Sequence, residues 1–86
     1  MKKKHTYKTK GTCSSEIDFE LIEGKVSSVA FEGGCDGNLK AIGILVEGMS
    51  AEDVVEKLKG TRCGGKDTSC ADQLAMGILQ AIEQGR

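Results

Sequence analysis

The sequence predicts an α+β domain in which a three-stranded antiparallel sheet is followed by three helices packed on one face of the sheet. The first part of the chain alternates apolar and polar residues with a period of two, as half-buried strands do. The remainder repeats apolar residues at helical spacing. Proline is absent, so glycines and capping residues mark where each element begins and ends.

The size of the chain limits its core. With 86 residues it forms one domain, residues 1–86, and a domain of this length has a narrow margin of stability. Two Phe, one Tyr and no Trp are available to fill the interior. Chains with so little apolar volume often add a disulfide or a bound metal. The four cysteines can supply either.

The N-terminal segment is rich in lysine. Its lysines are Lys2, Lys3, Lys4, Lys8 and Lys10, whereas all 13 acidic residues follow Ser15. A basic arm on an acidic body lacks the continuous positive face and the stacking aromatics of a nucleic-acid site, so we expect no nucleic-acid partner. We predict a flexible basic tail over residues 1–5 and a polar edge strand from Thr6 to Gly11. His5 falls in this tail and is interpreted as a bystander.

Two further strands flank a hairpin turn at residues 23–25. Opposed residues in an antiparallel pair share a face. The apolar residues therefore gather on one side when Ile17 pairs with Phe31 and Phe19 with Val29. A slip by one residue would set an apolar side chain opposite an acidic one.

This register also bears on two cysteines. If the pairing continues without a bulge, Cys13 lies opposite Cys35 at the end of the sheet away from the turn. Both side chains then point to the core-facing side. The hairpin thus predicts a pair of neighbouring thiols.

Three helices are predicted after the sheet. The first runs from Asp36 to about Gly48, is largely buried, and has an apolar face formed by Leu39, Ile42, Leu45, Val46 and Met49 and widened by Ile44. The second opens at Ser50, which starts a capping-box-like pattern, and Gly60 closes it. A similar pattern at Ser69 opens the third. Its buried stripe consists of Leu74, Ala75, Ile78, Leu79 and Ile82.

The four cysteines, Cys13, Cys35, Cys63 and Cys70, are predicted to form one thiolate site. Cys70 falls in the first turn of the last helix, where the macrodipole and unpaired backbone N–H groups stabilise a thiolate. Paired glycines adjoin Cys35 and Cys63, and they let the backbone close around an ion. Four thiolates suit tetrahedral zinc, with an iron–sulfur cluster as the alternative.

The linear spacing leaves three hypotheses open, because no CxxC pair occurs. The cysteines bind a metal, relay electrons as a thiol–disulfide pair, or pack as buried and inert side chains. The chain contains no stretch of about 20 apolar residues and no apolar signal core, so we expect a cytoplasmic protein without a membrane partner. Thiols stay reduced in the cytoplasm, which favours the metal. The sequence indicates no catalytic constellation.

The cysteines also lie in runs that resemble a known family. Gly11-Thr12-Cys13, Gly33-Gly34-Cys35, Cys63 and the run from Asp67 to Ala75 resemble the TSCPD domain, and the likeness extends from Tyr7 onward. Within that family the chain is most similar to stand-alone, small four-cysteine proteins. The same domain occurs at the C-terminus of adenosylcobalamin-dependent ribonucleotide reductases. Ala71 departs from the proline that the family name implies.

The resemblance implies that the four cysteines are the motif positions and that the chain is an accessory or detached tail of a ribonucleotide reductase. The chain holds no complete active site, so any reductase activity would need a partner. A fainter similarity in the order of elements links it to iron–sulfur scaffolds of the NifU/IscU type. That likeness would make Cys35 and Cys70 scaffold ligands, but residues 41–46 have no thiol where the scaffold has its middle cysteine.

Overall fold

The computed structural model describes residues 2–9, 14–33, 36–61 and 68–84. Three strands come first: β1 (Lys2–Lys8), β2 (Ser14–Ile22) and β3 (Lys25–Gly33). Three helices follow: α1 (Asp36–Val46), α2 (Ala51–Leu58) and α3 (Cys70–Gln84). The strands form one antiparallel sheet in the order β1-β2-β3. The predicted α+β class and the order of elements are confirmed.

β1 starts earlier than the sequence indicated. It begins at Lys2 and pairs with β2 along its length, so the prediction of a flexible tail over residues 1–5 is wrong for residues 2–5. The ring of His5 stacks on Phe19 with their centroids 5.3 Å apart, which ties this part of the strand to the core. Its lysines suit an edge strand, because charge there discourages pairing with other chains. The predicted end of this strand, residues 10–11, lies outside the described residues.

The hairpin of β2 and β3 keeps the predicted register at one point and departs from it at another. Ile17 lies opposite Phe31, as predicted. The register then shifts at Phe19, so the predicted pair with Val29 is not part of the ladder. Ser28 has a positive φ of 54°, which is rare for a non-glycine residue and is accommodated where an extra residue bends the strand.

A second shift lies nearer the cysteines. The register changes between Ser14 and Glu16, and Ser14 lies opposite Gly33. The unbroken register that set Cys13 opposite Cys35 is therefore wrong at this end of the hairpin, because an irregularity intervenes. Cys13 and Cys35 themselves lie outside the described residues.

The core lies between the helix-facing side of the sheet and helices α2 and α3. The largest fully buried side chains are Phe19, Ile17, Leu74, Ile78, Val26 and Val54. Complete burial of such a side chain contributes roughly 1.5–3 kcal/mol. The predicted stripe of α3 is confirmed, since Leu74, Ala75 and Ile78 are buried and the remaining members are partly buried against this cluster. No helix within the described ranges is long and apolar enough to cross a bilayer.

α1 is less buried than predicted. Leu39 and Val46 are buried, whereas Ile44 and Leu45 are 76% and 75% exposed. The placement of Leu45 on the buried face is therefore wrong, and so is the expectation of a largely buried helix. The helix packs mainly on β3, and contact with one strand covers only a narrow stripe. Gly43 lies in that stripe and lets the helix approach the strand closely.

The end of α1 is tied to β3 through Glu47. Its carboxylate accepts hydrogen bonds from the Ser27 hydroxyl at 2.6 Å and from the Ser28 backbone N–H at 2.9 Å. These two bonds lower the pKa of Glu47, and the bond from Ser27 has the larger effect. Because the folded-state pKa is lowered, the contact stabilises the fold above the ordinary pKa and is lost as the pH falls through the lowered value.

α2 begins and ends as predicted. The Ser50 hydroxyl accepts a hydrogen bond from the Asp53 backbone N–H at 3.2 Å and so caps the helix. Gly60 follows the helix with a φ of +85°, a conformation that glycine adopts without strain. Ser50 also forms a bridge with Lys25, which covers part of the outer edge of β3.

Helix α3 crosses β1 at a glycine. A Cβ atom placed on Gly77 would lie 2.9 Å from both Cβ and Cγ of Tyr7. The Cβ atom of Tyr7 is fixed by the backbone, so a rotamer change cannot relieve this contact. Gly77 therefore sets the distance between α3 and the sheet.

We expect the substitution Gly77→Ala to lower the free energy of unfolding by roughly 1–2 kcal/mol, because overpacking outweighs the higher helix propensity of alanine. Gly37→Ala is the matched control, since a Cβ on this exposed residue of α1 would meet nothing within 4 Å. The control should be neutral or slightly stabilising. Urea denaturation of both variants measures the difference, and equal stabilities would contradict the close approach.

Candidate metal centre

Cys70 is the one cysteine among the described residues. It is the first residue of α3, and it is only 8% exposed. Its Sγ lies 3.1 Å from the Oγ of Ser14 in a buried contact. Either atom can donate in this contact, so it accommodates both the thiol and the thiolate form of the cysteine. The contact sets the beginning of α3 against the beginning of β2.

Ser14 also marks the end of the sheet where β2 begins and β3 ends. It lies opposite Gly33, and its carbonyl accepts a hydrogen bond from the hydroxyl of Thr9. Cys13 directly precedes Ser14 in the chain, and Cys35 follows Gly33 by two residues.

The segment between α2 and α3 is anchored at the first turn of α3. The Ser69 hydroxyl donates to the Thr61 carbonyl at 2.7 Å and accepts from the Asp72 backbone N–H at 3.0 Å. The Asp72 carboxylate accepts a hydrogen bond from the Gly60 N–H at 2.7 Å through Oδ1. Cys63 follows Thr61 by two residues and lies outside the described residues.

A second set of hydrogen bonds involves Thr68, which precedes this turn. The Thr68 hydroxyl donates to Oδ2 of Asp72, and Nε2 of Gln73 donates to Oγ1 of Thr68 at 3.0 Å. The predicted capping pattern at Ser69 is confirmed, but the hydrogen bonds that the Asp72 carboxylate accepts were not predicted. Thr68 and Asp72 are four residues apart, and this short spacing could have predicted the bond between them. The bond between Asp72 and Gly60, 12 residues away, has no such local signal in the sequence.

The described neighbours of all four cysteines therefore meet at one end of the molecule. They are Ser14 beside Cys13, Gly33 near Cys35, Thr61 near Cys63, and Cys70 itself. Within the described ranges, which hold a single cysteine, no three His, Cys, Asp or Glu side chains are grouped to hold a metal ion. The four-thiolate site stays a prediction, and its described surroundings are consistent with it.

His5 is not part of this group. Its ring stacks on Phe19 in the sheet, and its Nε2 atom is buried without a hydrogen-bond partner among the described residues. The histidine belongs to the packing between β1 and β2. Its interpretation as a bystander to the thiolate chemistry remains a prediction.

Comparison with known proteins gives one match. The model of a domain family described as the TSCPD domain matches residues 1–82. No curated protein and no solved structure matches the chain. The match includes β1, which the resemblance read from the sequence did not cover in full. The similarity to iron–sulfur scaffolds remains a prediction from the order of elements.

We expect Ser69→Ala to cost more stability than Ser50→Ala. Both changes remove a helix cap, which costs about 1 kcal/mol. Ser69→Ala also removes the donor to the Thr61 carbonyl, and the loss of that bond adds about 1 kcal/mol. Urea denaturation with a chelator present, so that no metal contributes, measures both. Equal costs would contradict the anchoring of the segment before α3.

Proposed function

The chain belongs to the TSCPD domain family, and from this premise we propose that it is a small metal-binding module in which Cys13, Cys35, Cys63 and Cys70 hold one zinc ion. The observation that carries the proposal is the 3.1 Å contact between Sγ of Cys70 and Oγ of Ser14. It brings the start of the last helix to the residue that follows Cys13. We propose that Cys13, which directly precedes Ser14 in the chain, binds the same ion as Cys70.

The chemistry of the donors suits zinc. Zinc in structural sites is held by four ligands in a tetrahedron, and thiolates bind it at about 2.3 Å. Cys70 has a helix N-terminus behind it, which favours the thiolate. The Ser14 hydroxyl can donate to its sulfur and orient it, as groups around metal ligands commonly do.

The burial of Cys70 supports a closed metal site over a thiol relay. A thiol that exchanges with a partner must be reached by that partner's sulfur. Cys70 is 8% exposed. A structural zinc ligand needs no such access.

The size of the core supports the same proposal. Among the residues that the structure describes, the largest fully buried side chains include one aromatic ring, that of Phe19. In small domains of this kind the free energy of metal binding becomes free energy of folding. Zinc would therefore add to the stability of the fold by joining the end of the sheet to the helical layer.

We propose that the module acts together with a ribonucleotide reductase, as an accessory or detached tail of that enzyme. This part of the proposal rests on the family alone. Calorimetric titration of a purified reductase lacking its own copy of the domain tests it. Heat of binding at micromolar protein supports the association, and its absence removes the reductase from the proposal.

The zinc site predicts that a strong chelator lowers the melting temperature of the wild-type protein and that each single Cys→Ser variant loses this response. Differential scanning calorimetry with and without chelator measures it. Gly77→Ala is the matched control, because it should be destabilised yet keep all four thiols and the full response to chelator. A wild-type protein insensitive to chelator would contradict the zinc site.

Analysis of the metal and sulfide content of the same preparation separates the alternatives. About one zinc per chain supports the structural site. Iron with inorganic sulfide points to a cluster-binding role. A metal-free protein with a reversible disulfide points to a thiol relay.

A further inference from the structure

The carboxylate of Asp72 joins three segments of the chain. Oδ1 accepts from the backbone N–H of Gly60, just after α2, and Oδ2 accepts from the hydroxyl of Thr68, just before α3. Asp72 itself lies in the first turn of α3. One side chain therefore holds Gly60 and Thr68, the two ends of the 60–68 connection, against the turn that carries Cys70.

Helix capping does not explain this arrangement. Asp53 occupies the same place in the first turn of α2. The Ser50 hydroxyl accepts a hydrogen bond from the backbone N–H of Asp53. The Asp53 side chain is exposed, and no hydrogen bond to another segment is described for its carboxylate. A capping pattern of this form therefore does not require hydrogen bonds from the acidic side chain to other segments. The bonds of Asp72 are additional to the cap.

Resting on the zinc site proposed above, we propose that Asp72 is a positioning residue for that site. Cys63 lies within the connection that Asp72 holds at both ends, and Cys70 lies two residues before Asp72. Fixing both ends limits the positions that Cys63 can reach relative to the Cys70 sulfur. A ligand restricted in this way loses less conformational entropy when it binds the ion.

In this role the carboxylate acts by holding Gly60 and Thr68 in place, and it is not proposed as a ligand. Each of its two oxygens already accepts a hydrogen bond within the chain. The Ser69 hydroxyl supports the same geometry through its bond to the Thr61 carbonyl. The Gln73 side chain does so through its bond to Thr68.

The test compares Asp72→Asn with Asp53→Asn, which removes the same charge from the same helical position. Zinc affinity is measured by competition with a chromophoric chelator. Loss of a group that orients a metal ligand typically costs about 10–100-fold in affinity, and we expect this range for Asp72→Asn. Asp53→Asn should bind zinc as the wild type does. Gly77→Ala should lose only the affinity that follows from its lower stability, because its bonds to Asp72 are intact.

Hydrogen exchange at the Gly60 amide, measured without zinc, gives a second readout. It should be faster in Asp72→Asn and unchanged in Asp53→Asn. If Asp72→Asn does not fold, Thr68→Val removes one of the two bonds to the carboxylate and should weaken zinc binding to a smaller extent. Equal zinc affinities of the wild type, Asp72→Asn and Thr68→Val would overturn the proposed role of Asp72 and leave the zinc site standing. A wild type that binds no zinc would overturn the proposed function as well.

Discussion

The arrangement of this end of the protein depends on one junction, where the first turn of α3 meets the beginning of β2. Cys70 and Ser14 are separated by 56 residues and touch in a buried contact of 3.1 Å. The strand pairing at Ser14 brings in the end of β3, and the bonds of Ser69 and Asp72 bring in the end of α2. The first turn of α3 therefore joins four segments that carry or flank cysteines. They are the beginnings of β2 and α3 and the ends of β3 and α2.

Packing elsewhere in the domain keeps that helix start in position. Leu74 and Ile78 are fully buried and fix the rotation of α3 over the sheet. Gly77 lets the helix lie against Tyr7 at a distance that no larger residue permits. A tilt of α3 about its middle would displace its first turn by more than its centre. Close packing in the middle of the helix therefore maintains the geometry at its end.

Much of the fold follows from local patterns. The period-two alternation predicted β2 and β3, and the rule that apolar residues share a face predicted the pairing of Ile17 with Phe31. The two register shifts were not predictable from that rule, since they depend on local backbone conformations such as the positive φ of Ser28. Helical periodicity predicted α1 but not the exposure of Leu45, because it does not say how many neighbours a helix has.

The candidate site was predictable only in part. The position of Cys70 in a first helical turn followed from the capping pattern at Ser69, and the structure agrees. The contact of Cys70 with Ser14 and the bond from the Gly60 N–H to the Asp72 carboxylate join residues far apart in the sequence. A single sequence carries no local signal for such pairs, because tertiary packing alone brings them together.

The zinc-edge X-ray absorption spectrum of the purified, zinc-loaded protein tests the central claim most directly. One ion held by four cysteines predicts a first shell of four sulfur atoms at about 2.3 Å. A first shell dominated by nitrogen or oxygen atoms at about 2.0–2.1 Å would contradict it, because side chains other than the cysteines would then hold the metal.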